Sequence, residues 1–139
     1  MRYWLVKSEP AAYSWQQMVK DAVTNWSGVR NHQAANNLKS MKKGDKAFFY
    51  HSNEGKEIVG IVEIAKEASP DPSDEAGKFV MVDVKALNPL ANPVTLSTMK
   101  STPALKDMAL IKQSRLSVCP VTEGEWQEIL NLSSLRGTK

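Results

Sequence analysis

Residues 46–65 constrain the fold more than any other stretch of the chain. Lys46-Ala47-Phe48-Phe49-Tyr50-His51-Ser52 is an apolar, aromatic run of strand length, and Ile58 to Ala65 is a second. Asn53-Glu54-Gly55-Lys56 between them is turn chemistry, so the pair predicts an antiparallel hairpin. Side chains alternate across a strand. Phe48 and Tyr50 therefore take one face, and Ala47, Phe49 and His51 the other.

Further strands flank this hairpin. Tyr3 to Lys7 is short, aromatic and β-branched, and Ser8-Glu9-Pro10 stops it because proline cannot donate to a ladder. Phe79 to Leu87 alternates Val80, Val82 and Val84 against Asp83 and Lys85, which predicts a third long strand. Pro89 and Pro93 are expected to bracket a loop, and Arg115 to Val118 to form the last strand, ended by Pro120. Asn25 to Gln33 has no clean period and reads as irregular. Helices separate the strands. Ser14 and Gln17 stand at capping-box spacing ahead of a stripe of Trp15, Met18, Val19 and Ala22. Ala34, Leu38 and Met41 mark a second helix, and Ser97 to Lys100 a short one. Thr122 and Glu125 form another capping box, before a stripe of Trp126, Ile129 and Leu130. Ser133 to Lys139 is polar and is expected to fray. The pattern predicts an α+β fold over residues 1–132. The strands are mostly antiparallel, and closing them into a small barrel with flanking helices removes their edges.

Composition narrows the function. The 139 residues suit one domain. A single cysteine, Cys119, excludes an internal disulfide, and no apolar run approaches the roughly 20 residues of a membrane span. A cytoplasmic location and no membrane partner are the expectation. The net charge of +3 permits phosphate contacts but does not demand them.

Catalytic constellations are scarce. Two scattered histidines, His32 and His51, and one cysteine supply no metal-ligand cluster, so neither metal nor cofactor is expected. There is no glycine-rich phosphate loop and no nucleophile elbow. Cys119 reads as a small buried hydrophobe. Trp4, Trp15 and Trp126 lie on strand or helix stripes and read as core. Trp26 differs, because it sits beside Ser27, Gly28, Arg30 and Asn31 outside any periodic segment. It reads either as a stacking platform for a base or as a plug at the domain edge. Lys7-Ser8-Glu9 and Tyr50-His51-Ser52 leave polar side chains at strand ends, where a pocket can gather them; the alternative is ordinary turn chemistry.

Several of these segments coincide with one family pattern. Tyr3-Trp4-Leu5-Val6-Lys7-Ser8-Glu9-Pro10 resembles the opening signature of the EVE domain family, within the PUA-like superfamily. Trp26-Ser27-Gly28-Val29-Arg30-Asn31 resembles its W-x-G-V-R-N motif. Phe49-Tyr50-His51-Ser52-Asn53, the Pro70-Asp71 loop, Val82-Asp83-Val84 and Arg115-Leu116-Ser117-Val118 follow in register. Two departures stand out: Cys119 replaces a common glutamine, and the loop between Pro70 and Phe79 is short. The resemblance implies a PUA-like β-barrel related to the YTH domain, which holds a methylated adenine in an aromatic cage. It also implies a non-enzymatic module that binds DNA or RNA through a modified base, notably a cytosine modified at its 5-position. Trp26 then corresponds to a cage aromatic, and Ser8 and Glu9 to residues that read the base edge. Asn31, Tyr50, His51 and Ser52 complete the candidate ligand set, with Arg30 and Lys7 as the expected phosphate contacts. Two other classes remain: an enzyme using Glu9 and His51 as an acid/base pair, and a protein-interaction domain with a vestigial pocket.

Overall fold

The computed structural model describes residues 2–53 and 55–137. In chain order the elements are β1 (Tyr3–Ser8), α1 (Trp15–Asp21), β2 (Val23–Trp26), α2 (His32–Ser40), β3 (Lys46–His51), β4 (Glu57–Pro70), β5 (Val80–Thr95), α3 (Leu96–Lys100), α4 (Ala109–Lys112), β6 (Val118–Val121) and α5 (Glu123–Gly137). The predicted hairpin is β3 and β4, antiparallel with Phe48 opposite Ile61. It lies at the centre of one six-stranded sheet of order β2-β5-β4-β3-β1-β6. β1 runs parallel to β3 and every other pairing is antiparallel, so the sheet is mixed.

The sheet does not close into a hydrogen-bonded barrel. β2 and β6 remain its two edges. α2 instead bridges the seam near β6, where the Asn37 amide donates to the Val118 carbonyl at 2.7 Å.

The alternation of β3 separates two aromatic clusters. Phe48 and Phe49 are both fully buried but point to opposite faces. On the Phe48 face, α5 lays Trp126 flat against Phe48, at 3.9 Å between centroids, and against Tyr3 at 4.5 Å. On the Phe49 face, Trp15 meets Phe49 edge-on at 5.4 Å. There Gly60 is required, because a Cβ would lie 2.5 Å from the Trp15 ring. Both helix-opening signals form. Ser14 Oγ accepts from the Gln17 N–H, and Thr122 and Glu125 exchange reciprocal bonds of 2.9 and 3.1 Å.

Several expectations are corrected. Val23–Trp26 is a strand, because β5 offers a long free edge and pairs Trp26 with Val82. Pro89 and Pro93 lie within β5 rather than bounding it. β4 advances only from Gly60 to Ile58 while β5 advances from Pro89 to Val94, and a bulge of this kind accommodates residues that cannot join a regular ladder. The last strand is β6, which contains Pro120; an edge position tolerates its missing donor. Val19 is 51% exposed, because the seven-residue α1 turns only Trp15 and Met18 inward. The tail expected to fray from residue 133 continues α5 to Gly137. Ser133 is buried and exchanges hydrogen bonds with the Asn92 backbone. Residues 138–139 lie outside the described residues.

Candidate nucleic-acid interface

A concavity lies at the seam that the sheet leaves open. Its volume is about 450 Å3, within the range of small-molecule sites. Lys7 and Ser8 enter from the end of β1, Thr24 to Trp26 from β2, Ser27 to Asn31 from the following loop, and Ser117 from the approach to β6. Edge strand β2 and the approach to edge strand β6 therefore meet around one cavity.

Its aromatic wall is Trp26 and Tyr13. The Trp26 ring lies perpendicular to Tyr13, at 6.3 Å between centroids, and to Phe49 at 5.7 Å, both at 82°. Such T-shaped contacts orient the indole without stacking a ring flat upon it. The sequence places Trp26 outside any periodic segment. It is instead the last residue of an edge strand, and it lines the cavity because that edge has no further partner.

Tyr13 was missed by the sequence reading. It stands immediately before the Ser14 cap, and Met18 lies at the fourth helical position. That spacing is a hydrophobic staple, and the Tyr13 hydroxyl does lie 3.9 Å from the Met18 sulfur. The hydroxyl also donates to Asp21 at 2.7 Å, and burial followed by this carboxylate raises its pKa.

The Trp26–Asn31 loop is held by a buried carboxylate. Asp71 is 2% exposed and accepts from the Gly28 N–H at 2.8 Å, from Arg30 Nη1 at 3.2 Å and from both the N–H and hydroxyl of Ser73. The Ser73 hydroxyl, with the Gly28 and Ser73 N–H groups and Arg30, outweighs desolvation and holds the Asp71 carboxyl well below the usual carboxylate range. Gly28 has φ +81°, a left-handed conformation that favours glycine and aims its N–H at Asp71. Asn31 caps α2 by accepting from the Ala34 N–H at 2.9 Å.

The expected phosphate contacts both line the cavity, but both are engaged. Arg30 pairs with Asp71, donates to Ser73 Oγ at 2.9 Å and lies 5.5 Å from the Phe79 ring. Lys7 donates to the Ser114 carbonyl at 2.8 Å, and burial lowers its pKa. Ser8 lines the cavity and donates to the Tyr13 carbonyl, which leaves its hydroxyl oxygen able to accept. Glu9 is exposed at the rim.

Tyr50, His51 and Ser52 do not line this cavity, which corrects their expected place in the ligand set. Tyr50 is buried, and desolvation pushes its pKa up to about 12. His51 Nε2 accepts the Trp15 N–H at 3.0 Å, and burial lowers its pKa, so its basic nitrogen is occupied in the neutral form. The Ser52 N–H donates to the Ser8 carbonyl. The β3 end serves the sheet and α1, while the parallel β1 end serves the cavity. Glu9 lines the cavity and His51 does not, so the cavity does not present the two as an acid/base pair. Cys119 is fully buried, with its thiol pKa pushed by burial up to about 11, and is no nucleophile at neutral pH. Among the described residues no helix is long and apolar enough to cross a membrane.

Comparison with known proteins matches this geometry to a family. The EVE domain model matches residues 2–132. The chain is 36% identical to Thymocyte nuclear protein 1 of Gallus gallus, over 94% of this chain and 68% of that protein. It superposes on an NMR structure of a Rhodopseudomonas palustris protein with a TM-score of 0.92, at 56% identity, covering 97% of this chain and 94% of that one. Human THYN1 protein, solved in complex with 5-methylcytosine containing DNA, superposes with a TM-score of 0.89 at 35% identity, covering 96% and 98%. A YTH domain of Zygosaccharomyces rouxii, in complex with N6-methyladenosine RNA, shares the fold at a TM-score of 0.61 and 19% identity, covering 95% and 86%. With the family model spanning nearly the whole chain, and relatives this similar along their length, the chain belongs to the EVE domain family.

Proposed function

We propose that this protein is a non-catalytic reader of a modified base in nucleic acid, with a 5-modified cytosine as the base. One observation carries the reading: an aromatic-walled cavity, rimmed by polar groups, sits at the open seam between two edge strands. An extruded base stacks against Trp26 beside Tyr13. Ser8, Glu9, Thr24, Asn25 and Asn31 stand where they can read its edge. The complex of human THYN1 protein with 5-methylcytosine containing DNA supports the choice of base.

Physical chemistry sets the expected selectivity. Burying one methyl contributes about 0.8 kcal/mol, which is about fourfold in affinity. Stacking on an aromatic contributes roughly 1–3 kcal/mol and tolerates any base. The cavity therefore binds bases through its aromatic wall and discriminates through its rim. The test is titration of DNA duplexes and single strands that differ at one position, cytosine against 5-methylcytosine. The methylated strand binds about fourfold more tightly. Equal affinity for both would remove the modification from the reading.

A further inference from the structure

The cations of the cavity wall are committed to the protein itself, Arg30 to Asp71 and Lys7 to the Ser114 carbonyl. A nucleic-acid strand with one base in the cavity still carries its phosphates past the surface. Their neutralisation is a large part of affinity in such complexes, and with Arg30 already paired to Asp71 further basic groups are needed to complete it.

A second depression, of about 620 Å3, offers them. Among the described residues, Lys56 and Lys100 are the ionisable side chains in its lining, which also includes Ser97 and Ser101. Both lysines are exposed, and among the described residues neither side chain makes an ion pair or hydrogen bond. Ser97, Lys100 and Ser101 are spaced three and four residues apart at α3 and its cap, so they share one face.

The sheet fixes where this depression lies relative to the cavity. Ser8 pairs with His51, His51 with Glu57, and Glu57 with Thr95, in one row across four adjacent strands. Ser8 lines the cavity and Thr95 the second depression. The Ser8 side of the cavity therefore opens at the same end of the sheet as the depression, while the Trp26 wall, opposite Val82, stands toward the other end of β5. Three strand spacings put Ser8 and Thr95 about 14 Å apart along the sheet. That is about four steps at the roughly 3.4 Å rise of a duplex strand. Glu57 lies in the row but is half-buried and outside both linings.

We propose that this depression is a phosphate dock. Lys56 and Lys100, helped by the Ser97 and Ser101 hydroxyls, hold the backbone of the same strand whose base occupies the cavity. The inference rests on the base-reading function proposed above, and its test separates the two.

The test is the double variant Lys56→Ala, Lys100→Ala, titrated over a range of salt with methylated and unmethylated DNA and with 5-methyl-deoxycytidine monophosphate. Two lost contacts reduce the slope of log affinity against log salt by about 1.8, and lower affinity for both DNAs about 30-fold at 0.15 M salt. The methyl preference, monophosphate binding and melting temperature stay at wild-type values. A wild-type slope and affinity for DNA in the variant would overturn the dock while leaving base reading intact. An equal loss of monophosphate binding would also overturn it, since the effect would then reach the cavity. A reduced slope in a protein that shows no methyl preference would keep the dock and discard the 5-modified base. Absence of any DNA binding by the wild-type protein would remove both.

Discussion

The two aromatic clusters of this protein are built from similar side chains and end in opposite states. On the Phe48 side of β3, Trp126 is buried between stacked partners, at 18° to Phe48 and 22° to Tyr3. On the Phe49 side, Trp26 meets Phe49 and Tyr13 in perpendicular rather than stacked contacts and remains part of a cavity wall. The first cluster is covered by a fifteen-residue helix. The second is bounded by a four-residue edge strand and the loop after it. A tryptophan whose faces are taken by other rings contributes to stability. One whose faces are left open is available to a ligand. What separates the two is the element laid over each, not the residue type.

The comparison breaks first at Trp126. Trp126→Ala should cost about 3–5 kcal/mol of folding stability, read by denaturant melts, while the folded fraction still binds DNA. A small loss would mean that the stacked cluster is not the core it resembles.

Asp71→Asn tests what holds the open cluster in shape. It leaves Arg30 without its ion partner, and the cost should be about 2–3 kcal/mol. That is below the figure for a fully buried pair because the Arg30 side chain is 40% exposed. The Asp71 pKa is depressed on folding, so its contribution is complete above the unfolded value of about 3.9 and is lost as pH falls from there through the lower folded value. Acid titration of stability should therefore be shallower below about pH 4 in the variant. An unchanged acid limb would place the loop's anchor elsewhere.

Trp26→Ala sharpens the contrast most directly. Binding of methylated DNA should weaken by about 5- to 150-fold, with a much smaller change in melting than at Trp126. If the variant melts far lower yet binds normally, Trp26 belongs with Trp126 as a structural residue. Tyr13→Phe should have the smallest effect. It removes the exposed bond to Asp21, about 0.5–1.5 kcal/mol of stability, and should leave DNA affinity within about twofold. A loss beyond tenfold would show that the hydroxyl, rather than the ring, is what the ligand meets.

Much of the framework was legible from local pattern. The β3–β4 hairpin, the Ser14 cap, the Thr122–Glu125 box and the buried positions of Trp4, Trp15 and Trp126 depend on residues within a few positions of one another. Six of the nine named site residues, Lys7, Ser8, Glu9, Trp26, Arg30 and Asn31, do line the cavity. The motif resemblance placed them. Periodicity alone left Trp26 between a platform and a plug.

Tertiary structure decided the rest, because the deciding partners are far apart in the chain. Val23–Trp26 has little strand pattern of its own and becomes a strand only where β5 presents an unpaired edge. Asp71 reaches across 43 residues to Gly28 and 41 to Arg30, a link that no spacing rule contains. The ends of β1 and β3 lie side by side through Ser8 and His51, yet one lines the cavity and the other braces α1. Hydrophobic periodicity and capping report the few dihedral angles around a residue, so they determine elements and their buried faces. Whether a strand edge or an indole face is left open depends on which distant segment arrives to cover it. That is settled only when the whole sheet is assembled.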